Sequence, residues 1–230
     1  MAHIVISGGS RGIGKACALL FKSKGYDVTV LSRKDPEYDL GSIRHIKCDV
    51  SSMQSCKDAM SLIDEPIDIL LSNAGISLSG LITDFGEEEY RRVMDTNFGG
   101  LYNLTRLIVP QMVSRKKGSI IAISSMWGQT GASCEALYSA SKGAIDSYVK
   151  ALAKELGPSG IRVNAISPGV VMTDMMSCYS EEDIACLKDA TPLQRLGNAD
   201  DIAKACLFVA SDDASFVTGQ IIGVNGGMLI

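Results

Sequence analysis

The chain has 230 residues, 46% hydrophobic and 21% charged, with a formal net charge of -4. That length can bury a full α/β core without metals or disulfides. The acidic balance excludes general nucleic-acid binding, which needs a basic face against phosphates, and no apolar run is long enough to span a bilayer.

Short β-rich apolar runs alternate with longer helical segments along the whole chain, which predicts a parallel sheet joined by crossover helices. Residues 3–7 read as the first strand, with no basic segment and long apolar run of a secretory signal, so a cytoplasmic protein is expected. Residues 12–24 read as the first helix, burying Ala16, Leu19, Leu20 and Phe21 and ending at Gly25. Between them lies Ser7-Gly8-Gly9-Ser10-Arg11-Gly12-Ile13-Gly14. A glycine-rich turn between a first strand and a first helix lets a pyrophosphate approach backbone amides at the helix N-terminus. Gly8, Gly12 and Gly14 are spaced G-x-x-x-G-x-G, unlike the general G-x-G-x-x-G fingerprint.

Residues 28–31 form the predicted second strand, followed by Ser32-Arg33-Lys34. A carboxylate there would hold a free ribose 2′-hydroxyl, whereas Arg33 with Arg11 suits a 2′-phosphate, so NADPH is expected over NADH. Asp35 argues the other way, but it sits late and belongs to the turn at Pro36. The crossover over 32–43, broken by Pro36 and Gly41, is too short for a full helix. Strands three and four are expected at 44–47 and 67–71, and a long helix at 87–114, kinked or interrupted at Pro110. Arg115-Lys116-Lys117 reads as its solvated end.

Strand five is expected at 119–124 and is followed by Ser125. The next helix carries Tyr138 and Lys142 and runs to residue 156, with Ala144, Ile145, Tyr148, Ala151, Leu152 and Leu156 on its apolar side and Gly157-Pro158 as its stop. Tyr-x-x-x-Lys puts a weak acid and a cation one turn apart, where the cation can lower the phenol's pKa and make it useful in proton transfer. A solvated helix face is the competing reading of that pair alone. Strand six is expected at 162–166, an irregular or partly helical insertion at 170–196, a helix at 200–210 and a last strand at 220–224. No repeat or linker divides residues 1–230, so one domain is expected. The seven cysteines (17, 48, 56, 134, 178, 186 and 206) show no C-x-x-C spacing and read as reduced, mainly apolar fillers. His3 and His45 lie in predicted strands without ligand partners, so no metal site is expected.

Taken in order, the glycine loop, Asp49-Val50, Asn73-Ala74-Gly75, Asn97, Ser125, Tyr138-x-x-x-Lys142 and Pro168-Gly169 resemble the short-chain dehydrogenase/reductase family over essentially the whole chain. The resemblance implies a Rossmann-type, doubly wound parallel sheet of about seven strands, order 3-2-1-4-5-6-7, with helices on both faces. It implies that Asp49 and Val50 flank the adenine, that Asn73, Ala74 and Gly75 line the cofactor, and that Pro168, Gly169, Val171 and Thr173 hold the nicotinamide carboxamide and a nearby phosphate. Tyr138 would be general acid in reduction and base in oxidation, and Ser125 would hydrogen-bond the substrate oxygen. Lys142 would bind the nicotinamide ribose and depress the pKa of Tyr138, and Asn97 would hold a water that resupplies protons.

The tail, with Thr191-Pro192-Leu193-Gln194-Arg195-Leu196-Gly197 and Val224-Asn225-Gly226-Gly227, is similar to that of β-ketoacyl-[acyl-carrier-protein] reductases of fatty acid synthesis. That similarity implies an NADPH-dependent homotetramer acting on a 3-oxoacyl thioester. Arg115-Lys116-Lys117 is a candidate dock for an acyl carrier protein, but Met176-Ser177-Cys178 lacks the arginine common at that place in the family. Met126, Trp127, Ile76, Leu137, Met172, Met175, Met176 and Tyr179 are candidates for the pocket wall. A hydroxysteroid or other secondary-alcohol dehydrogenase, and a non-catalytic dinucleotide sensor, are the alternatives. The intact Ser125, Tyr138, Lys142 and Asn97 argue against the sensor, which needs no proton donor.

Overall fold

Seven parallel strands in the order β3-β2-β1-β4-β5-β6-β9 form the main sheet of the computed structural model, which describes residues 1–176 and 179–230. Ser177 and Cys178 lie outside the described residues, as does the side chain of Met175. The strands are β1 (His3–Ser7), β2 (Asp27–Ser32), β3 (Arg44–Lys47), β4 (Ile69–Ser72), β5 (Gly118–Ile123), β6 (Ile161–Pro168) and β9 (Ile221–Val224). A short parallel pair, β7 (Val171–Met172) and β8 (Gly197–Asn198), stands apart. The expected strand order is therefore met, with the predicted seventh strand at β9.

Alternation along the strands sends side chains to two separate apolar layers. Val5, Leu31, Leu70, Ile120 and Val163 pack on one face against α2 (Met53–Met60), α4 (Gly100–Arg115) and α6 (Ala136–Leu156). Ile4, Ile6, Val30, Leu71, Ile121 and Ile166 pack on the other against α1 (Gly12–Ser23) and α8 (Ala199–Ala210). The central strands, covered on both sides, are accordingly buried at almost every position.

Several helical expectations are corrected. The long helix is not interrupted at Pro110, which lies within α4; its regular pattern changes instead at a π turn over Asp95–Gly99 that follows α3 (Glu87–Met94). Leu19 is exposed, and α1 instead buries Gly14, Cys17, Ala18 and Phe21, because it faces both the sheet and α8. Ala151 is exposed as well. Helix α2 was not foreseen: its hydrophobic positions are few, and its start is marked only by Ser52, whose side chain accepts from Ser55 N. The crossover between β2 and β3 has no helix, as expected, and the predicted insertion contains α7 (Glu181–Asp189). A four-residue helix, α5 (Trp127–Thr130), precedes α6. Among the described residues no helix is long and apolar enough to cross a membrane.

Candidate active site

The glycine turn after β1 is built by close approach. Gly8 has φ +70, and a Cβ there would lie 2.8 Å from Ala74 Cα; one on Gly14 would lie 2.2 Å from Gly8 O. Asn73 Nδ2 donates to the Ser7 and Gly8 carbonyls (3.1 and 3.0 Å), while the amides of Asn73 and Ala74 donate to Ser7 Oγ. The Asn73 side chain thus fixes the turn. Arg11, extended at the α1 N-cap, makes no side-chain cap, so the first-turn amides near Ser10, Gly12 and Ile13 remain donors for an anion. The Thr173 side chain lies opposite, 3.6 Å from where a Gly12 Cβ would stand. These uncapped amides and glycine approaches fit the pyrophosphate of a dinucleotide.

At the end of β2, Ser32 is buried, donating to Lys34 O and bonding His45 Nε2 (3.0 Å). Asp35 turns toward β3, pairing with Lys47 (3.1 Å) and lying 3.6 Å from His45 Nδ1. Arg33 is exposed and in no ion pair among the described residues, whereas Arg11 is paired with Asp174 at 3.4 Å. After β3, Asp49 Oδ1 accepts from Ser51 N and Oγ, and buried Val50 accepts through its carbonyl from Asn103 Nδ2.

The second cluster lies beyond the ends of β4 and β5. Ser125 is buried, its Oγ accepting from Trp127 N (3.2 Å). Ser125 lies close enough to the Tyr138 hydroxyl to favour its ionised form. Lys142 donates from Nζ to Ile123 O (2.7 Å) and lies 5.5 Å from the centroid of the Tyr138 ring. A Cβ on Gly75 would stand 3.3 Å from Asn97 Oδ1 and 3.6 Å from Lys142 Nζ, so Gly75, Asn97 and Lys142 meet at one point. Pro168 and Gly169 close the far side: Pro168 O accepts from Met126 N, and Gly169 N donates to Val224 O. Val171 is buried and follows them in β7.

Two expectations are revised by this geometry. Burial pushes the Tyr138 phenol up to about 12; the Ser125 hydroxyl offsets that in part, and the Glu135 carboxylate adds to it. Burial thus outweighs any lowering of the Tyr138 pKa by the nearby Lys142, and it moves Lys142 itself down to about 8, against the pull of Asp146. The Asn97 side chain is also fully engaged, with Nδ2 donating to Ile76 O and Ser141 Oγ (both 2.9 Å) and Oδ1 accepting from Ile76 N (2.8 Å). A water held at Asn97 would need its backbone, which the π turn re-aims.

A buried ammonium with a lowered pKa opposes folding. The cost is full below pH 8 and fades as pH rises from about 8 to 10.5, amounting to about 3 kcal/mol for the shift from 10.5, offset in part by the bond to Ile123. Lys142→Met is expected to abolish turnover while keeping or raising Tm at pH 7, the gain shrinking by pH 10. Thermal unfolding across that range checks it; a large fall in Tm at pH 7 would reject it.

Comparison with known proteins agrees with this arrangement. A family model described as Enoyl-(Acyl carrier protein) reductase matches residues 8–229. The chain is 40% identical over 234 residues to an uncharacterized oxidoreductase, YmfI, of Bacillus subtilis (strain 168), covering 97% of each chain. It is 34% identical over 238 residues to the 3-oxoacyl-[acyl-carrier-protein] reductase FabG of Thermotoga maritima, covering 98% of this chain and 97% of the other.

The chain belongs to the short-chain dehydrogenase/reductase family.

Solved members of the family superpose closely. The structure of ElxO with NADP bound gives a TM-score of 0.92 at 30% identity, covering 99% of this chain and 98% of that one. A 3-oxoacyl-[acyl-carrier protein] reductase of Brucella melitensis with bound NAD gives 0.90 at 33%, covering 98% and 90%. As a short-chain dehydrogenase/reductase the chain is an NAD(P)-dependent oxidoreductase, similar to the 3-oxoacyl reductases.

Within this family member, Arg115 of the basic run before β5 is engaged, while Lys116 and Lys117 are exposed. Arg115 pairs with Asp68 at 2.7 Å and also donates to Ile67 O, and Lys116 takes the left-handed cap of α4. Of the pocket candidates, Met126 is buried, Met172 and Tyr179 are exposed, and Ile76, Trp127, Leu137 and Met176 are half-buried. Four residues escaped sequence reasoning. Tyr38, whose hydroxyl donates to Gly9 O (2.9 Å), lies in a crossover with no motif. Ser141 and Glu135 carry no spacing signal. Asp146 does: it follows Lys142 by one turn, and it is buried with Oδ1 unpartnered.

Proposed function

We propose that this protein reduces a ketone to a secondary alcohol with NADPH, the ketone being a 3-oxoacyl thioester. The observation that carries the reading is the enclosed meeting of Ser125, Tyr138 and Lys142, with the Tyr138 phenol kept protonated by burial. A bound nicotinamide dinucleotide supplies the hydride.

The residues then divide the work. Ser125 Oγ–H and the Tyr138 hydroxyl converge on the carbonyl oxygen, and both bonds strengthen as the C=O electron pair moves onto that oxygen. Tyr138 gives its proton to the forming alkoxide, a far stronger base than the phenolate left behind. Lys142, as an ammonium, holds the nicotinamide ribose and stabilises that phenolate. Asn97 shapes the floor by joining Ile76 to Ser141, and Gly75 leaves room there for the cofactor. Gly8, Ser10, Arg11, Gly12, Ile13 and Gly14 receive the pyrophosphate, Asp49 and Val50 the adenine, and Pro168, Gly169, Val171 and Thr173 the nicotinamide side.

Preference for NADPH is supported by the pairing of Asp35 with Lys47, which turns the nearest carboxylate to β3 and leaves Arg33, at the end of β2, without an ion pair among the described residues. With an acetoacetyl thioester of N-acetylcysteamine, NADPH is expected to give about tenfold or higher kcat/KM than NADH, and Arg33→Ser is expected to remove most of that ratio through the KM for NADPH. A preference for NADH would overturn this assignment, and no turnover of the thioester with either cofactor would overturn the substrate. A cytoplasmic homotetramer is the proposed state, supported by exposed Tyr102, Phe208 and Phe216. The engagement of Arg115 with Asp68 lends no support to carrier-protein docking.

A further inference from the structure

We propose that Glu135 sets the charge selectivity of the site, admitting neutral ketones and discriminating against those that carry a carboxylate near the reacting carbonyl. The inference rests on the ketone-reduction reading of Tyr138 given above.

Glu135 stands at the N-cap position of α6, three residues before Tyr138, yet its side chain does not cap its own helix. It reaches across to the segment that follows Gly75, accepting from Ser77 Oγ at Oε2 (3.2 Å) and from Ser79 Oγ at Oε1 (3.4 Å). Gly80 N donates to Cys134 O (2.8 Å) alongside. The half-buried carboxylate therefore joins two segments, one leading from β4 past Gly75 and one leading into Tyr138.

At positions i and i+3 of the start of α6, Glu135 and Tyr138 are neighbours on one side of the helix, and the carboxylate there opposes ionisation of the Tyr138 hydroxyl. A carboxylate close enough to oppose a phenolate there also opposes negative charge on a substrate bonded to that same hydroxyl. The cation in the cluster, Lys142, is tied to Ile123 O and faces Gly75, so it does not shield the Glu135 side. Among the described residues no salt bridge neutralises Glu135; its partners are two hydroxyls, which solvate a charge without cancelling it. The tail of a neutral ester or thioester meets no such penalty.

The test compares acetoacetate with ethyl acetoacetate under NADPH. Wild-type protein is expected to favour the ester by at least about tenfold in kcat/KM. Glu135→Gln keeps the shape and accepts a hydrogen bond but carries no charge; it is expected to cut that ratio at least fivefold, chiefly by lowering KM for acetoacetate. Ser77→Ala loosens the tie and keeps the carboxylate, and is expected to retain the ratio within about twofold. An unchanged ratio in Glu135→Gln, or an equal fall in Ser77→Ala, would overturn the charge role in favour of a plain structural tie. No turnover of either compound by wild-type protein would overturn the ketone-reduction reading itself, and this inference with it.

Discussion

Tyr138→Phe is expected to lower kcat/KM for ketone reduction by about a thousandfold or more, the scale of a lost general acid. The substitution removes one hydroxyl and leaves the ring beside Lys142. It also leaves Lys142 bonded to Ile123 O and Asn97 bonded to Ile76 and Ser141, so the floor of the site persists. Cofactor affinity, measured by the fluorescence of bound NADPH, should therefore change by less than about threefold. Ser125 Oγ still accepts from Trp127 N, so the cost to the fold should stay within about 1 kcal/mol, or about 2–4 °C in Tm. The diagnostic result is a collapse in turnover with binding preserved. Turnover equal to wild type would remove Tyr138 from the chemistry.

Gly14→Val should fail for the opposite reason, through geometry rather than proton transfer. Even a bare Cβ on Gly14 would lie 2.2 Å from Gly8 O and 2.6 Å from Asn73 Nδ2, and the first of these is backbone. Helix α1 must shift away from the turn, breaking the Asn73 bonds that hold Ser7 and Gly8. Overpacking of this kind costs about 3 kcal/mol, or about 6–12 °C in Tm at this size. Because the amides at the α1 N-terminus move with the helix, NADPH affinity should fall by about a hundredfold or more. Gly12 offers the contrast. It has φ +54, but its nearest neighbour to a Cβ is the Thr173 side chain at 3.6 Å, so Gly12→Ala meets backbone strain without a clash and should be milder in both respects. If Gly14→Val bound NADPH as wild type does, the turn would not be the pyrophosphate site.

The same two sites show why some features were legible in advance and others were not. Glycine spacing and Tyr-x-x-x-Lys are local patterns whose physical meaning, a tight turn or two groups one helical turn apart, needs no knowledge of what lies across the fold. The direction of the Tyr138 and Lys142 pKa shifts depends on how deeply both are enclosed, which no spacing reports. Asn97 was legible as a member of an ordered series, but its partners Ile76 and Ser141 come from separate elements. Its setting was misjudged, because a proline within a helix is a visible breaker and a π turn is not. Ser52 and its bond to Ser55 N mark the start of α2, yet a short helix with few buried positions gives little periodicity to find.

The alternation of apolar strands and helical segments by itself determined a parallel doubly wound sheet, since right-handed crossovers between buried strands leave few other arrangements. The glycine turn and the Ser125, Tyr138 and Lys142 series likewise determined an NAD(P)-dependent oxidoreductase. Only the tertiary structure decided which charges act where. It set Asp35 against Lys47, Arg11 against Asp174 and Arg115 against Asp68, and it carried Glu135 across to Ser77 and Ser79. Those pairings join residues from different elements, and a charge's effect depends on its distance and burial rather than on its place along the chain.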